Sequence, residues 1–271
     1  MPSHSSAILQ QLGYVELPKH QGSGGFDHAA VHAASGQVYV AHTANNSVDA
    51  FDPRAGRYLF SVPELAGVAG VLVSDEAQLV VTSNRAENTI GILPAESNSR
   101  VAKIPVGVRP NGLAYNHGRR HILVANVGDP TVPGSHTLSI VEVDEGLVRT
   151  ELPVPGRTRW AVYDSDAQVF YVNIAEPAQI VIVDAQRPDR ISRAYTIPAA
   201  GPHGLDLDPK MHRLFCACDA GTLITLDARS GRVLGQDPLS GAPDVVFFDG
   251  VHKRLYVAVG DPVIDVFDKL L

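Results

Sequence analysis

The feature that most constrains the fold of this chain is a segment that recurs six times along it. Each unit holds a turn with Pro or Gly, a short apolar run, a polar turn, a second run such as QVYVAH, and a third run that commonly ends in Asp. The first strands of the six units are expected at Asp27, Val68, Asn111, Arg159, His203 and Asp244. These positions are 41, 43, 48, 44 and 41 residues apart. A period of about 40 to 45 residues is typical of one four-stranded blade of a β-propeller.

The repeat predicts an all-β, six-bladed β-propeller that occupies residues 1–271 as a single domain. Each unit is rich in Val, Ile, Leu and Tyr, and no segment keeps helical spacing over the ~11 residues that a helix prediction needs. The 24 Gly and 19 Pro are spread along the chain and mark no linker. An insertion around Asp129 to Thr137 explains the 48-residue unit.

Closure of the ring is predicted from the two ends of the sequence. The sixth unit provides only three strands, which would leave a sheet edge open, and open edges are usually covered. Residues 14–20 resemble a strand, so we expect them to form the outer strand of the last blade. A ring of seven blades is the less favoured alternative, because 271 residues leave no room for another full unit.

Charge and hydrophobicity exclude several classes of function. The net charge is −7, and the 22 Lys and Arg form no run, which argues against a nucleic-acid partner. The N-terminus has no signal-peptide pattern, and no apolar run approaches ~18 residues, so we expect a cytoplasmic protein without a membrane partner. Cys216 and Cys218 lie in an apolar strand and are interpreted as buried thiols. No GxSxG, P-loop, GxGxxG, HExxH or CxxC motif is present.

The runs VYVAHTANNSVDAFD, ILVANV, FYVNIAEPAQIVIVD and RLYVAVGDPVIDVFD resemble the repeats of the YVTN family of β-propellers. The resemblance covers nearly the whole chain and implies the propeller fold. It implies no single activity, since the family includes proteins without an established one.

Two shorter segments resemble other propellers. RPNGLAYN is similar to the Pro-Asn-Gly stretch of gluconolactonase and senescence-marker propellers, whose asparagine ligates a divalent cation, and this resemblance would give that role to Asn111. GPHGLDLDPK resembles a blade start in virginiamycin B lyase-like propellers and the Pro-Asp-Gly blade start of the lactonases. In this chain His203 stands in place of the lactonase metal-binding Asp, although imidazole favours softer metals than calcium.

The blade geometry predicts where a pocket would form. Loops that enter the first strand and loops that join the second and third strands share one face of a four-stranded meander. That face would carry Asp27, His28, Arg109, Asn111, Arg159, Trp160, His203 and Asp244, together with His42, Asn45, Asn84, Arg85, Asn126, Asn173 and Asp219. Polar side chains around a funnel are typical of a site for a polar small molecule, although they also bond loops and channel water in any propeller.

Two hypotheses about function follow. In the first, the mouth of the channel binds a small polar ligand or a loop of a partner protein, using Arg109, Asn111, Asn126, Arg159, Trp160 and Asp244. In the second, the protein is a metal-assisted lactone hydrolase or eliminating lyase. Asn111, His203 and Asp244 would then hold one divalent cation (Mg, Mn, Ca or Zn), while Asp27, His28 or His203 moves a proton.

Overall fold

Runs of β-branched, aliphatic and aromatic residues between short polar turns form 23 antiparallel strands in the computed structural model, which describes residues 12–99, 101–260 and 263–268. The strands form six separate sheets, and within each sheet the spatial order follows the order along the chain. The prediction of an all-β, six-bladed propeller is confirmed. The first strand of each blade is the inner strand, because the inner strands of successive blades contact one another.

The first three blades contain twelve strands and one 3-10 helix, Thr43–Asn45, which lies between the second and third strands of blade 1. Blade 1 consists of β1 (Ala29–His32), β2 (Gln37–His42), β3 (Ser47–Asp52) and β4 (Arg57–Val62). Blade 2 consists of β5 (Val68–Ser74), β6 (Leu79–Asn84), β7 (Thr89–Pro94) and β8 (Ala102–Pro105). Blade 3 consists of β9 (Pro110–Asn116), β10 (His121–Asn126), β11 (Thr137–Glu142) and β12 (Leu147–Pro153).

The last three blades contain eleven strands in the described residues. Blade 4 consists of β13 (Thr158–Asp164), β14 (Val169–Ile174), β15 (Gln179–Asp184) and β16 (Ile191–Thr196). Blade 5 consists of β17 (Pro202–Asp208), β18 (Arg213–Cys218), β19 (Thr222–Asp227) and β20 (Val233–Pro238). Blade 6 consists of β21 (Pro243–Asp249), β22 (Arg254–Val259) and β23 (Val263–Asp268).

Aspartate residues at strand ends hold the turns that follow them. Oδ1 of Asp52 accepts hydrogen bonds from the backbone N–H groups of Arg54 and Ala55. The carboxylates of Asp164 and Asp208 bond the two N–H groups at the same offsets after β13 and β17. These hydrogen bonds explain why Asp recurs in the repeat. Its carboxylate accepts from backbone N–H groups in the turn that do not pair with a neighbouring strand.

The hydrophobic core is divided into five clusters, one between each pair of successive blades from blade 1 to blade 6. Among the described residues, no such cluster joins blade 6 to blade 1. Apolar side chains of these two blades are instead exposed, including Val31, Phe247 and Ile264. In the part of the chain that the structure describes, the closing junction of the ring is therefore the least buried one.

The predicted closing strand over residues 14–20 is not formed in the described part of the chain. The sheet of blade 6 has three strands there, and residues 12–28 contain no strand. The end of this segment is bound to blade 1, because the Asn45 side chain donates to the carbonyl of Lys19 and accepts from the N–H of Gln21. The side chain of Asn45 thus holds the backbone of Lys19 and Gln21 against blade 1.

No helix in the described residues is both long enough and apolar enough to cross a membrane.

Candidate ligand-binding site at the channel mouth

Each blade contributes one residue to a ring at the entrance of the channel. The ring lies five residues before the last residue of each inner strand, and we call it the mouth ring. Its members are Asp27, Ala69, Asn111, Arg159, His203 and Asp244. They match the positions expected from sequence in five blades, whereas in blade 2 the pairing of Ser74 with Leu79 shifts the equivalent residue from Val68 to Ala69.

His203 is the centre of a network of charged groups from blades 4, 5 and 6. Its Nδ1 atom lies 2.7 Å from Oδ1 of Asp219. Its Nε2 atom lies 3.1 Å from Nη1 of Arg159 and 3.3 Å from Oδ1 of Asp244. Arg159 also contacts the second oxygen of Asp219 at 3.3 Å. A neutral His203 can accept from Arg159 through Nε2, and an imidazolium can donate to both carboxylates.

A second network joins blades 1, 2 and 3 on the same face. The guanidinium of Arg85 lies 3.3 Å from Oδ2 of Asp27 and donates to Oδ1 of Asn111. The other oxygen of Asp27 lies 3.3 Å from Nδ1 of His28. Arg85 lies in the loop that follows β6, the second strand of blade 2. Its contacts with Asp27 and Asn111 therefore join this loop to the mouth ring. All six blades therefore contribute polar side chains to the mouth.

The floor of the mouth is formed one residue further along the inner strands. The floor ring consists of His28, Gly70, Gly112, Trp160, Gly204 and Val245. A Cβ atom on Gly70 would lie 2.3 Å from the carbonyl oxygen of Asn111, and one on Gly112 would lie 2.4 Å from that of Arg159. These glycines let neighbouring inner strands approach closely. The rings of His28 and Trp160 fill space at this level.

Electrostatic shifts mark the mouth as a partly desolvated site. Burial lowers the pKa of His28, against the opposing effect of Asp27 and Asp244. The hydrogen bond with His203 lowers the pKa of Asp244. Burial also lowers the pKa values of Arg85 and Arg159. The Nε atoms of these two arginines are buried without a hydrogen-bond partner in the described residues.

Two clefts adjoin the mouth. The larger, about 840 Å³, is lined by Arg157, Arg159, Gly201, Asp219 and neighbouring residues of blades 4 and 5. The smaller, about 370 Å³, lies between blades 3 and 4 and is lined by Arg109, Val127, Gly128, Pro130, His136, Pro155, Gly156, Arg157 and Glu176. Arg157 and Glu176 line both clefts. The larger cleft is of a size typical for small-molecule sites.

Several predicted site residues lie elsewhere. Asn126 is fully buried inside blade 3, where its Nδ2 atom donates to Thr137 and Ser139, so the prediction that it contacts a ligand is corrected. Asn84 bonds Thr89 within blade 2. Asn173 donates to the carbonyls of His203 and Gly204 and supports the mouth from below.

Arg109, His42 and Asn45 also lie away from the mouth ring. Arg109 lies at the smaller cleft, off the axis of the channel. His42 is fully buried in blade 1 against Asp49, and Asn45 holds the segment that precedes β1. Asn126 is the last residue of β10, the second strand of blade 3. A polar residue at the end of a second strand therefore does not always face the mouth.

Two of the three predicted ligands of a divalent cation, Asn111 and His203, contact guanidinium groups, and the third, Asp244, contacts His203. Arg85 donates to Asn111, and Arg159 contacts Nε2 of His203. Positive charge at both sites opposes a cation. No group of three or more His, Cys, Asp and Glu side chains in the described residues is arranged to hold a metal ion. The residues present therefore fit a divalent cation poorly.

Sequence reasoning placed Arg85 and Asp219 on the correct face but did not select them as site residues, and it did not single out Arg157. Arg85 and Asp219 occupy equivalent positions, because their N–H groups bond the carbonyls of Gly67 and Gly201. Arg85 and Asp219 are the residues that directly follow β6 and β18. Alignment of the six units at this position would have identified them as a pair of charged residues on the same face.

Comparisons with known proteins support the fold alone. No family model matches the chain, and no curated protein matches it. Solved structures with a matching fold are numerous, 1730 chains in all, so the fold itself indicates no one function. One of them, a protein of unknown function from Desulfotomaculum acetoxidans DSM 771, has a TM-score of 0.75 and 10% sequence identity, over 90% of this chain and 75% of its own.

Proposed function

We propose that the channel mouth binds a small polar molecule that carries a carboxylate or a similar acceptor group. The observation that carries this proposal is the convergence of polar side chains from all six blades on one partly desolvated funnel. A fold needs such groups satisfied, yet the buried Nε atoms of Arg85 and Arg159 have no partner among the described residues. Hydrogen bonds to a charged group would give a ligand there about 1.5–3 kcal/mol each.

The chemistry of the mouth favours recognition over cleavage of a ligand. Arg159 has N–H donors beyond the two that contact His203 and Asp219, and the carboxylates of Asp244 and Asp219 can accept hydrogen bonds from hydroxyl groups. The 840 Å³ cleft beside Arg159 can hold the rest of the molecule. A loop of a partner protein would meet the same donors, but the enclosed floor of His28 and Trp160 suits a compact ligand better.

The experiment is a screen for thermal stabilisation with small carboxylic acids, hydroxy acids and sugar acids. Arg159→Gln and His203→Ala should each abolish the shift produced by an active compound. Arg187→Gln is the matched control, because it removes an exposed guanidinium beside Asp184 on the β15–β16 turn. Stabilisation that survives both mouth variants would contradict the proposal.

Elemental analysis separates this proposal from the metal-assisted lactonase or lyase. Protein purified without chelator should contain no stoichiometric metal, and Mg, Mn, Ca or Zn salts should leave its unfolding midpoint unchanged. A stoichiometric ion whose stabilisation is lost in His203→Ala would instead favour the enzyme, with Asn111, His203 and Asp244 as ligands.

A further inference from the structure

The residue two positions before each member of the mouth ring is small in four blades and is an arginine in the other two. This outer ring consists of Gly25, Gly67, Arg109, Arg157, Gly201 and Ala242. In blades 2 to 6 its carbonyl accepts a hydrogen bond from the residue after the second strand. The outer-ring carbonyl therefore makes the same contact in each of these five blades, and three of the five residues are Gly or Ala. Only blades 3 and 4, which are neighbours, carry a long cationic side chain there.

The backbone of blade 3 makes an arginine at this position unfavourable. Arg109 has a φ of 55°, close to the 64° of Gly67 and the 68° of Gly201 at equivalent positions. The environments also match, since Asn88 Oδ1 accepts from the N–H of Arg109 as Asn46 Oδ1 accepts from that of Gly67. Nine other described non-Gly residues also have a positive φ, but Arg109 is the only one of them in the outer ring, where the other positive-φ residues are glycines.

The two arginines line the same cleft of about 370 Å³ between blades 3 and 4. Both are exposed, and neither forms an ion pair with another described residue. His136 contributes an imidazole to the cleft, and Glu176 contributes one carboxylate. Among the lining residues, two guanidinium groups thus face one carboxylate, in a chain whose net charge is −7. The carboxylate of Asp129, between the lining residues Gly128 and Pro130, also interacts electrostatically with Arg109. The positive charge of the cleft is local and not a property of the whole protein.

We propose that this cleft is a second binding site, for an oxyanion group such as a phosphate or a carboxylate. Guanidinium groups bind both through parallel N–H···O bonds, and two of them can hold one anionic group from two sides. The site lies off the channel axis and does not depend on the proposed function of the mouth. Arg157 also lines the larger cleft, so a ligand anchored here would extend toward Arg159.

Calorimetric titration with inorganic phosphate and with succinate, at low ionic strength, tests the proposal. Arg109→Gln and Arg157→Gln should each weaken binding about tenfold, which is the loss of one charge-assisted hydrogen bond. Binding of phosphate alone would identify a phosphate site, and binding of succinate alone a carboxylate site.

The control is Arg119→Gln combined with Arg190→Gln, which removes the same charge from exposed positions outside the cleft. This protein should keep its affinity for the anion, whereas the Arg109→Gln, Arg157→Gln double variant should lose it. Equal loss of affinity in both double variants would show that net charge alone causes the effect, and would overturn the proposal. The proposal would also be overturned if neither phosphate nor succinate bound to the unaltered protein. Retained affinity in the cleft variants would also overturn it.

Discussion

The imidazole of His28 meets the indole of Trp160 edge to face, with ring centroids 4.3 Å apart, although the two residues belong to blades 1 and 4 on opposite sides of the ring. The contact therefore spans the channel beneath the mouth. At the same level, the floor-ring glycines of blades 2, 3 and 5 allow the neighbouring inner strands to lie close together. The funnel has a floor made of two aromatic rings.

Trp160 is the only tryptophan of the chain, so its fluorescence reports on this floor. Burial lowers the pKa of His28, and an imidazolium quenches a neighbouring indole. We expect quenching at a pH below the ordinary imidazole value of about 6.5, measured by fluorescence titration of the folded protein. The His28→Gln variant should lose this transition. A transition at or above the ordinary value would contradict the buried position of His28.

The same shift makes stability depend on pH. Because the pKa of His28 is lower in the folded chain than in the unfolded one, the unfolded chain takes up its proton first as the pH falls. The contribution of His28 to the free energy of unfolding is therefore present above the ordinary pKa and declines as the pH drops through the lower folded value.

Asp206 should give the opposite trend. Burial raises its pKa to about 6, against hydrogen bonds from the N–H groups of Phe248 and Leu207. A raised folded pKa means that the folded chain holds the proton more tightly, so stability is gained as the pH falls through about 6. The gain is at most about 2–3 kcal/mol. Urea unfolding between pH 8 and pH 4 should show it, and Asp206→Asn should abolish it. An unchanged profile in Asp206→Asn would refute this assignment.

Replacement of the two cleft arginines by glycine should separate backbone from side-chain effects. Arg109→Gly places glycine at a φ of 55°, so it should leave stability unchanged or raise it by up to about 1 kcal/mol. Arg157 has no positive φ, and Arg157→Gly should lower stability by about 0.5–1 kcal/mol. Urea unfolding of the two variants measures the difference. Equal destabilisation would show that Arg109 is not strained.

The buried pair of His42 and Asp49 should contribute strongly to the stability of blade 1. Nδ1 of His42 lies 2.6 Å from Oδ2 of Asp49, and both side chains are fully buried. Ser47 and Ser61 donate to the other oxygen. His42→Leu leaves the carboxylate without its imidazole and should cost about 3–5 kcal/mol, measured by urea unfolding.

Two further variants test whether charge is the cause of that loss. Ser61→Ala removes one of several donors to Asp49 and should cost only about 1 kcal/mol. The double variant His42→Leu, Asp49→Leu removes both partners and should recover part of the loss. If the double variant is as unstable as the sum of its single changes, packing and not pairing is the source of the effect.

The fold was predictable because each repeat encodes one blade through local chemistry. Alternating apolar residues define the strands, and Asp at strand ends fixes the turns, as at Asp52 and Asp164. The closing segment was harder to predict. A strand-like pattern over residues 14–20 says nothing about its partner, and the side chain of Asn45 binds its end to blade 1.

The candidate site was predictable only to the level of the face and the ring. The period of the repeat placed Asn111, Arg159 and His203 at equivalent positions. It could not show that Asn126 turns into its own blade toward Thr137, because that depends on rotamers and neighbouring strands. It also could not show the contact between His28 and Trp160, since residues in opposite blades have no relation along the sequence.

His28 and Trp160 lie between the mouth and the turns on the far face of the molecule. The turns around Asn116, Asp208 and Asp249 follow the inner strands at the end of the channel opposite the mouth. Affinity tags or surface attachments placed on that far face would leave access to the mouth open. Immobilised protein oriented in this way should therefore bind its ligand as fully as protein free in solution.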